Sequence, residues 1–429
     1  MIHPRRHALL SLAALGTAAA LPRLVRAAPR LLPAANGPRA VIVGGGWGGL
    51  AAARRLRELA PQIEVILLER ASEFRSLPLS NRWLIDQIAP NDARLLRHDY
   101  GAGARAAGYT VIPAEVTAID RERRHVVTAS GTLDYDWLIL AVGIRDNYRA
   151  WFGDAADPAS ESRRRFGSGW QASELDSLKQ RLAAFSGGDL LMTIPPLPYR
   201  CPPAPYERAC MVASMIRRRQ LKARVVLLDP NPMMQVFSRV FGSQYRDPIT
   251  YVPQARIKAV DPFRRTVTTD FETIQFDDAI LMPPQQAGDL AWQAGLVAAQ
   301  ADWAAVDPAS HRSLLDPRLF VVGDMIDRVS PLFGHYPKTG EMALRQGQIA
   351  AAHIAAEAAG REAPKLLPAS TCFVLAGTEP MEMARIETSY RLRGDGLIQQ
   401  MVKQHYDAQP RDEDVAWAKG MFAELFGAA

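Results

Sequence analysis

The stretch Arg39-Ala-Val-Ile-Val-Gly-Gly-Gly-Trp-Gly-Gly-Leu-Ala-Ala-Ala53 decides the fold of this chain. Its apolar start predicts a buried strand, its glycines a turn and its alanine-rich end a helix. Gly44, Gly46 and Gly49 fit the pattern G-x-G-x-x-G. In this pattern the first glycine permits a tight turn, the second lets the backbone approach a pyrophosphate, and the third lets the helix pack on the strand. A strand–helix turn without a ligand is the alternative interpretation.

The next predicted strand, Glu64-Val-Ile-Leu-Leu-Glu69, supports a nucleotide site because it ends in an acid 20 residues after Gly49. A carboxylate at that position accepts hydrogen bonds from both ribose hydroxyls and repels a 2′-phosphate. The phosphates of the ligand would meet the positive N-terminus of the helix that follows the glycines. The two segments together predict that the chain binds a dinucleotide.

Two further strands favour FAD over NAD. Tyr135-Asp-Trp-Leu-Ile-Leu-Ala-Val-Gly143 ends in a small-residue turn that permits close approach of a cofactor. Leu319-Phe-Val-Val-Gly-Asp324 ends in an acid that can reach a ribityl hydroxyl, although an acid there could also be a helix N-cap. Because the two strands lie far apart in the chain, they indicate an FAD domain that an insertion interrupts. The predicted FAD contacts are Gly44, Gly45, Gly46, Trp47, Gly49, Glu69, Arg70, Val116, Ala141, Gly143, Gly323, Asp324, Lys338 and Thr339.

The insertion, roughly Asn147 to Met282, has the pattern of a second α/β unit. Where an NAD-binding domain has its glycine turn, this unit has a proline-rich segment, residues 195–205. Prolines lack the amide hydrogen that a phosphate cradle needs, so we expect no NAD site and no hydride transfer to NAD. The predicted fold class is α/β, with two Rossmann-like domains and a C-terminal α+β domain. The predicted bounds are 36–148 and 284–362 for the FAD domain, 149–283 for the second Rossmann-like domain, and 363–429 for the C-terminal interface domain.

The N-terminal segment has the pattern of an export signal. Arg5-Arg6 precedes an apolar run from Ala8 to Leu21 and a small-residue cleavage pattern at 25–27. The run is shorter than the ~20 residues that a membrane span needs, and the paired arginines are typical of a twin-arginine signal. We therefore predict that residues 1–28 are a signal peptide and that the mature protein is periplasmic. The alternatives are a membrane anchor or a chance basic start.

The net charge gives little support to nucleic-acid binding. Four arginines of the predicted signal carry much of the formal charge of +6, and without them about +2 remains. The three cysteines are Cys201, Cys210 and Cys372. In an oxidising compartment two of them can persist as a disulfide, which leaves one thiol over. No C-x-x-C-H motif occurs, so we expect no covalent haem on this chain, and no His/Cys cluster has the spacing of metal ligands.

Several segments in the same order resemble the flavoprotein subunit of flavocytochrome c sulfide dehydrogenase, a relative of the sulfide:quinone oxidoreductases. The most distinctive is Arg200-Cys-Pro-Pro-Ala-Pro-Tyr-Glu-Arg-Ala209. The others are the glycine-rich start, Pro78-Leu-Ser-Asn81, Met282-Pro-Pro-Gln-Gln-Ala-Gly288, the Gly-Asp element, Pro337-Lys-Thr-Gly340 and Ser370-Thr-Cys-Phe373. The resemblance extends over nearly the whole mature chain.

The resemblance implies that Cys201 and Cys372 form a redox-active disulfide beside the flavin. Hydrosulfide would attack one sulfur, leaving a persulfide on one cysteine and a thiolate on the other, whose electrons pass to the flavin. A purely structural disulfide is the alternative, and the cysteine attacked first stays open. Cys210 matches no catalytic cysteine of the family, so we expect a buried, inert thiol. The alternative for Cys210 is a third cysteine in sulfur transfer.

One departure from the family concerns the attachment of FAD. The resembling enzymes hold FAD through a cysteine just before the Leu-Ser-Asn motif, whereas this chain has Leu77 there. Because leucine forms no thioether, we predict noncovalent FAD.

Four further residues have a functional and an ordinary interpretation. Glu207 is a candidate proton shuttle near a reacting cysteine, and the alternative is that Glu207 and Arg208 form a helix-surface pair. Lys338 opens a Lys-Thr-Gly helix start whose amides suit the negative charge of a reduced flavin, or it is merely solvated. His335 is a weaker candidate for a proton relay.

The leading functional hypothesis is a sulfide, or related sulfur compound, dehydrogenase that reduces a c-type cytochrome. The haem would belong to a partner chain or a soluble cytochrome. A membrane-associated quinone-reducing enzyme is the second hypothesis, with the stripe Trp417, Met421, Phe422, Leu425 and Phe426 as its anchor. Such stripes more often pack on the protein's own core, so we do not expect membrane attachment. The remaining hypotheses are a non-catalytic flavoprotein subunit and an NAD(P)H-dependent disulfide reductase, which the missing second glycine loop opposes.

Overall fold

The computed structural model describes residues 30–33 and 35–427. The predicted signal segment 1–28 lies outside them. The strands are β1 Arg39–Val43, β2 Glu64–Glu69, β3 Glu73–Arg75, β4 Arg97–Asp99, β5 Thr110–Pro113, β6 Val116–Asp120, β7 His125–Thr128, β8 Gly131–Asp134, β9 Trp137–Leu140, β10 Ile144–Asp146, β11 Gly188–Thr193, β12 Ala223–Asp229, β13 Ile249–Pro253, β14 Ile257–Asp261, β15 Thr266–Thr269, β16 Thr273–Gln275, β17 Asp278–Ile280, β18 Gln285–Ala287, β19 Leu319–Val321, β20 Ser370–Thr378, β21 Met381–Leu392 and β22 Ile398–Asp407. The helices are α1 Trp47–Leu59, α2 Ser80–Leu84, α3 Pro90–Arg94, α4 Tyr100–Ala107, α5 Arg149–Phe152, α6 Ala156–Phe166, α7 Leu175–Ala184, α8 Ala204–Arg218, α9 Gln235–Gly242, α10 Asp289–Gln293, α11 Gly340–Ala358 and α12 Glu413–Phe426, with a 3-10 turn at Ala172–Glu174.

The first sheet is parallel, with the strand order β19-β9-β1-β2-β5. All five residues of β1 are buried, as expected for the centre of a sheet covered on both faces. Val43, the last residue of β1, pairs with Leu68 of β2 and Leu140 of β9. This register brings the ends of the three strands to one edge, and β19 joins that edge from a distant part of the chain.

The second sheet is also parallel, with the order β13-β12-β11-β17. It is built entirely from the inserted region. An antiparallel pair, β10 and β18, lies at the two points where the chain passes between the units. The predicted α/β fold class with two Rossmann-like units is therefore confirmed, whereas the individual domain bounds stay a prediction.

The C-terminal part contains an antiparallel sheet, β20-β21-β22, followed by α12. Helix α12 packs on the first unit: Phe422 stacks on Trp47 with ring centroids 5.4 Å apart, and Met421 and Leu425 are buried in the same core. The apolar stripe of α12 is thus covered by the protein itself, so this stripe is not a free membrane anchor. Within the described part of the chain, no helix has the length and apolarity that crossing a membrane requires.

Candidate functional site

A cavity of about 860 Å³ lies at the carboxyl edge of the first sheet, between the two Rossmann-like units and the C-terminal sheet. Because this edge is where open α/β sheets bind their ligands, the location alone favours a cofactor site. The cavity is lined by Cys201, Cys372, Glu207 and every predicted FAD contact except Gly49.

The glycine turn forms a backbone cradle at one end of the cavity. Gly44 has a φ of +103°, and a Cβ added there would lie 2.5 Å from the carbonyl oxygen of Ala141. A Cβ on Gly46 would meet nothing within 4 Å, so the backbone of Gly46 borders open space. A Cβ on Gly49 would lie 1.9 Å from the carbonyl oxygen of Gly44. Gly49 does not line the cavity, and its lack of a side chain serves close packing of α1 on the turn, so its contact with the cofactor stays a prediction.

The helix that follows the cradle presents free amides to the cavity. Its N-cap, Gly46, has no side chain to bond them, and the first turn of α1 contains no acid. Beside the amides, the carboxylate of Glu69 accepts hydrogen bonds from the backbone N–H of Gly45 at 2.6 Å and of Ala71 at 2.8 Å. An anion-binding helix start next to an acid at the end of β2 is the arrangement that a dinucleotide requires. The residues present therefore fit FAD.

Asp324 also lines the cavity and contacts Arg200, the first residue of the distinctive segment Arg200–Ala209. The Nε atom of Arg200 donates to Oδ2 of Asp324 at 2.5 Å, and Nη1 donates to the Trp170 carbonyl at 2.8 Å. A Cβ on Gly143 would lie 2.8 Å from Nη2 of Arg200, so the small residue there admits the guanidinium. In the described part of the chain no helix begins directly after Asp324, so the N-cap alternative is wrong.

Lys338 is buried, with 4% of its surface exposed, so the solvated alternative is wrong. Its ammonium donates to the carbonyls of Asp324 at 2.7 Å and Ile326 at 2.8 Å, and lies 3.6 Å from the ring centroid of Trp303. Burial lowers the pKa of Lys338 to about 7, which the nearby Asp324 carboxylate opposes. Lys338 thus lines the cavity, while its charged end holds the loop after β19.

Thr339 caps α11 by accepting a hydrogen bond from the N–H of Met342 at 3.3 Å.

The structure brings Cys201 and Cys372 together from distant segments. Cys201 lies in the proline-rich turn with a φ of +54°, and its N–H donates to the carbonyl of Lys338 at 2.8 Å. Cys372 lies in β20, is a free thiol like Cys201, and lines the same cavity close to it. The neighbouring Cys201 thiol and burial raise the pKa of Cys372 well above its ordinary value. Both thiols are half-buried at the cavity wall, whereas Cys210 is fully buried in the core of the second unit, where an inert thiol was expected.

Glu207 and Arg208 form part of a buried network rather than a helix-surface pair. The Glu207 carboxylate accepts hydrogen bonds from Leu375 N–H at 2.9 Å and from Asn81 Nδ2 at 2.6 Å. Asn81 in turn accepts a hydrogen bond from Nε of Arg208 at 2.9 Å, and the Arg208 guanidinium lies over the ring of Trp170. Burial raises the pKa of Glu207 to about 7 and lowers that of Arg208 to about 9.

Two remaining candidates have distinct positions. Leu77 lines the cavity together with the neighbouring Pro78 and Leu79, at the point where the resembling enzymes carry their attachment cysteine. His335 lies outside the cavity wall, and its Nε2 is 3.3 Å from Oδ1 of Asp327. The structure therefore gives His335 no contact with the cysteines.

The comparisons with known proteins agree with this geometry. The family described as sulfide dehydrogenase (flavocytochrome c) flavoprotein chain, central, matches residues 176–283. The family described as pyridine nucleotide-disulphide oxidoreductase matches residues 38–170. The sulfide dehydrogenase (flavocytochrome c) flavoprotein chain of Chlorobaculum thiosulfatiphilum is 49% identical over 43 residues, which make up 10% of this chain and 90% of that sequence.

Two more distant similarities concern single domains and the fold. A terpredoxin reductase from Pseudomonas sp is 33% identical over 117 residues, or 27% of this chain, and the match spans only 28% of that relative. The structure of the sulfide:quinone oxidoreductase of Aquifex aeolicus superposes with a TM-score of 0.73 at 19% identity, over 91% of this chain and 92% of that chain. At that identity the superposition shows a shared fold.

Proposed function

Because this chain belongs to the sulfide:quinone oxidoreductase-like flavoproteins, the family that includes the flavoprotein chain of flavocytochrome c sulfide dehydrogenase, we propose that it is an FAD-dependent sulfide dehydrogenase. We propose Cys201 and Cys372 as its redox pair. The observation that carries this proposal is the presence of both thiols, from distant segments of the chain, in the wall of the cavity onto which the glycine cradle opens.

In the proposed reaction, hydrosulfide attacks the oxidised Cys201–Cys372 pair. One new S–S bond forms between hydrosulfide and one cysteine as the bond between the cysteines breaks. The products are a persulfide on one cysteine and a thiolate on the other, so sulfide loses the two electrons that the cysteine pair gains. When bound, FAD would supply a two-electron acceptor. The two cysteines then pair again as the outer sulfur of the persulfide leaves as zero-valent sulfur, and the two electrons and the persulfide proton go to that acceptor.

The surrounding side chains suit the charges of this reaction. The Arg208 guanidinium is buried close to Cys201 and lines the same cavity. Glu207, with a pKa of about 7, lies beside Cys372 and exchanges a proton in the range where hydrogen sulfide ionises. Arg208 thus brings a positive charge to the cysteine side of the cavity, and Glu207 holds or releases a proton there.

The finer features of the proposal rest on sequence. Leu77 in the cavity wall supports noncovalent FAD, since leucine offers no sulfur for a thioether. The paired arginines of the leader support export to the periplasm, and the printed name of the Chlorobaculum relative supports a c-type cytochrome as electron acceptor. The haem would then reside on that partner.

The test is the anaerobic absorbance of the purified, FAD-loaded protein upon addition of sulfide. Wild type and the Cys210→Ser control should lose the oxidised flavin band, and Cys201→Ser should keep it. Cytochrome c and a soluble quinone added afterwards would identify the acceptor, and the proposal expects cytochrome c to restore the band faster. Oxidised flavin in wild type that is unaffected by sulfide would rule out sulfide as the substrate.

A further inference from the structure

The carboxyl edge of the second sheet carries an acid where a nucleotide-binding Rossmann domain binds ribose. Strand β11 leads into a turn, α8 follows, and β12 then ends in Asp229. In a dinucleotide-binding domain the acid at the end of the second strand accepts hydrogen bonds from the ribose hydroxyls. Asp229 is 0% exposed and borders none of the space in the large cavity. The proposed reaction assigns it no task.

Hydrogen bonds from other protein groups occupy all the acceptor positions of the Asp229 carboxylate. Oδ2 of Asp229 accepts hydrogen bonds from the hydroxyls of Tyr206 and Tyr251, the latter at 2.9 Å. Oδ1 accepts from the backbone N–H of Asn231 at 2.8 Å and from its Nδ2 at 3.0 Å. Since an ionised carboxylate offers about four lone-pair sites, none is left for a ribose hydroxyl. The acid of the second unit therefore binds protein groups in place of a nucleotide.

The groups bound to Asp229 also hold the turn that carries Cys201. The Asn231 side chain donates to the carbonyl of Pro195 at 2.9 Å and accepts from the N–H of Leu197 at 3.0 Å. Tyr206 belongs to the first turn of α8, which begins directly after the cysteine turn. Asp229 thus fixes both the entry of the turn, through Asn231, and its exit, through Tyr206.

Cys201 needs such support because its backbone is in the left-handed region, at a φ of +54°. For a residue with a side chain this conformation is strained and persists only where the surroundings stabilise it. Inside the turn, the hydroxyl of Tyr199 donates to the carbonyl of Pro202 at 2.9 Å, and Tyr199 lies close to Asp229 and Cys201. The buried hydrogen bonds of this cluster stabilise the left-handed backbone conformation of Cys201.

We propose that Asp229 is a positioning residue that holds Cys201 against Cys372 through the Asn231 and Tyr206 contacts. This inference rests on the proposed function, in which the two cysteines form a redox pair. An amide at position 229 places a donor against at least one of the four donors around it, which leaves a buried group unpaired and favours relaxation of the turn. Relaxation of the turn moves the Cys201 thiol away from Cys372 and disfavours their disulfide.

The experiment measures the equilibrium between the Cys201–Cys372 disulfide and the dithiol in glutathione buffers, with the holoprotein. The linked and the alkylated peptides are counted by mass spectrometry, so the result does not depend on sulfide oxidation. Asp229→Asn should shift the constant towards the dithiol by roughly tenfold, which corresponds to about 30 mV. Tyr251→Phe removes a single hydrogen-bond donor to Asp229 and should shift the disulfide–dithiol constant in the same direction by a smaller factor. If Asp229→Asn fails to fold, the shift in Tyr251→Phe decides the outcome.

The matched control is Val226→Ala, which lies on the same strand with its side chain in the core of the opposite face. This variant destabilises the second sheet without touching the cysteine turn, so its disulfide constant should stay at the wild-type value. Equal shifts in Asp229→Asn and Val226→Ala would overturn the positioning role. A wild-type protein that forms the disulfide and keeps oxidised flavin in sulfide would instead overturn the proposed function alone.

Discussion

Replacing Glu207 by glutamine should remove a pH dependence of stability that the buried carboxylate creates. In the folded protein burial raises the pKa of Glu207 to about 7 from its ordinary 4.5. The folded state therefore holds a proton between these pH values that the unfolded state releases. The contribution to the free energy of unfolding is fully present below pH 4.5 and is lost as the pH rises through 7.

The magnitude follows from the difference between the two pKa values. The complete loss from acid to alkaline solution is about 3 kcal/mol, of which about 2 kcal/mol falls between pH 5 and pH 8. Because Glu207 is only partly buried and lines the open cavity, solvent screening makes these values upper limits. Glutamine keeps an oxygen for the N–H of Leu375 but turns a donor towards Nδ2 of Asn81, which gives a constant loss at every pH.

The assay is thermal unfolding of the holoprotein from pH 5 to pH 8, followed by circular dichroism. The Tm of Glu207→Gln should lie below that of wild type at pH 5. Between pH 5 and pH 8 this Tm difference should shrink by a few degrees, or reverse. Glu122→Gln, at an exposed turn position, is the control and should follow wild type throughout. Parallel Tm curves for wild type and Glu207→Gln would refute the raised pKa and, with it, the proton-holding role.

Three further outcomes are expected. Gly49→Ala forces a Cβ to within 1.9 Å of the Gly44 carbonyl, so overpacking of roughly 1–3 kcal/mol should open the cradle, and the purified protein should retain less FAD than wild type by absorbance. Because Leu77 stands at the attachment position, denaturation with acid should release all flavin into the supernatant, and the intact mass of the chain should equal that of the polypeptide; a flavin-sized increment would contradict noncovalent binding. Arg82→Ala leaves the buried Asp414 without its partner at 2.9 Å, so we expect a loss of roughly 3–5 kcal/mol and faster proteolysis of α12, whereas Arg55→Ala at an exposed pair should change neither.

The sequence predicted the flavin half of the site because its signals are local. A glycine with positive φ, a strand ending in an acid and a helix start without a cap each occupy a few consecutive residues, as around Gly44 and Glu69. The fold class followed from the same patterns. At Gly49 the structure shows the packing role that the motif assigns to its third glycine, since a Cβ there would lie 1.9 Å from the Gly44 carbonyl oxygen.

The part of the site around Cys201 and Cys372 could be predicted only in part, because its contacts join distant segments of the chain. Asn81 bonds Glu207 and Arg208 across the interface of the two units, and nothing in the local sequence around Asn81 indicates those partners. Likewise Arg200 and Asp324 each belong to a motif that the sequence shows, but their pairing depends on how the second unit packs on the first. The burial of Glu207, which sets its pKa, is a property of that interface as well.

The first sheet has a consequence for the order in which the protein can be made. Strand β19, Leu319–Val321, pairs with β9 and completes the sheet whose edge forms the cradle, yet it is synthesised long after β1 and β2. A growing chain therefore cannot assemble a closed flavin site until most of it has left the ribosome, and pairing of such distant strands is a slow step. Chains halted before β19 would expose the apolar side of β9 and should be substrates for chaperones and proteases.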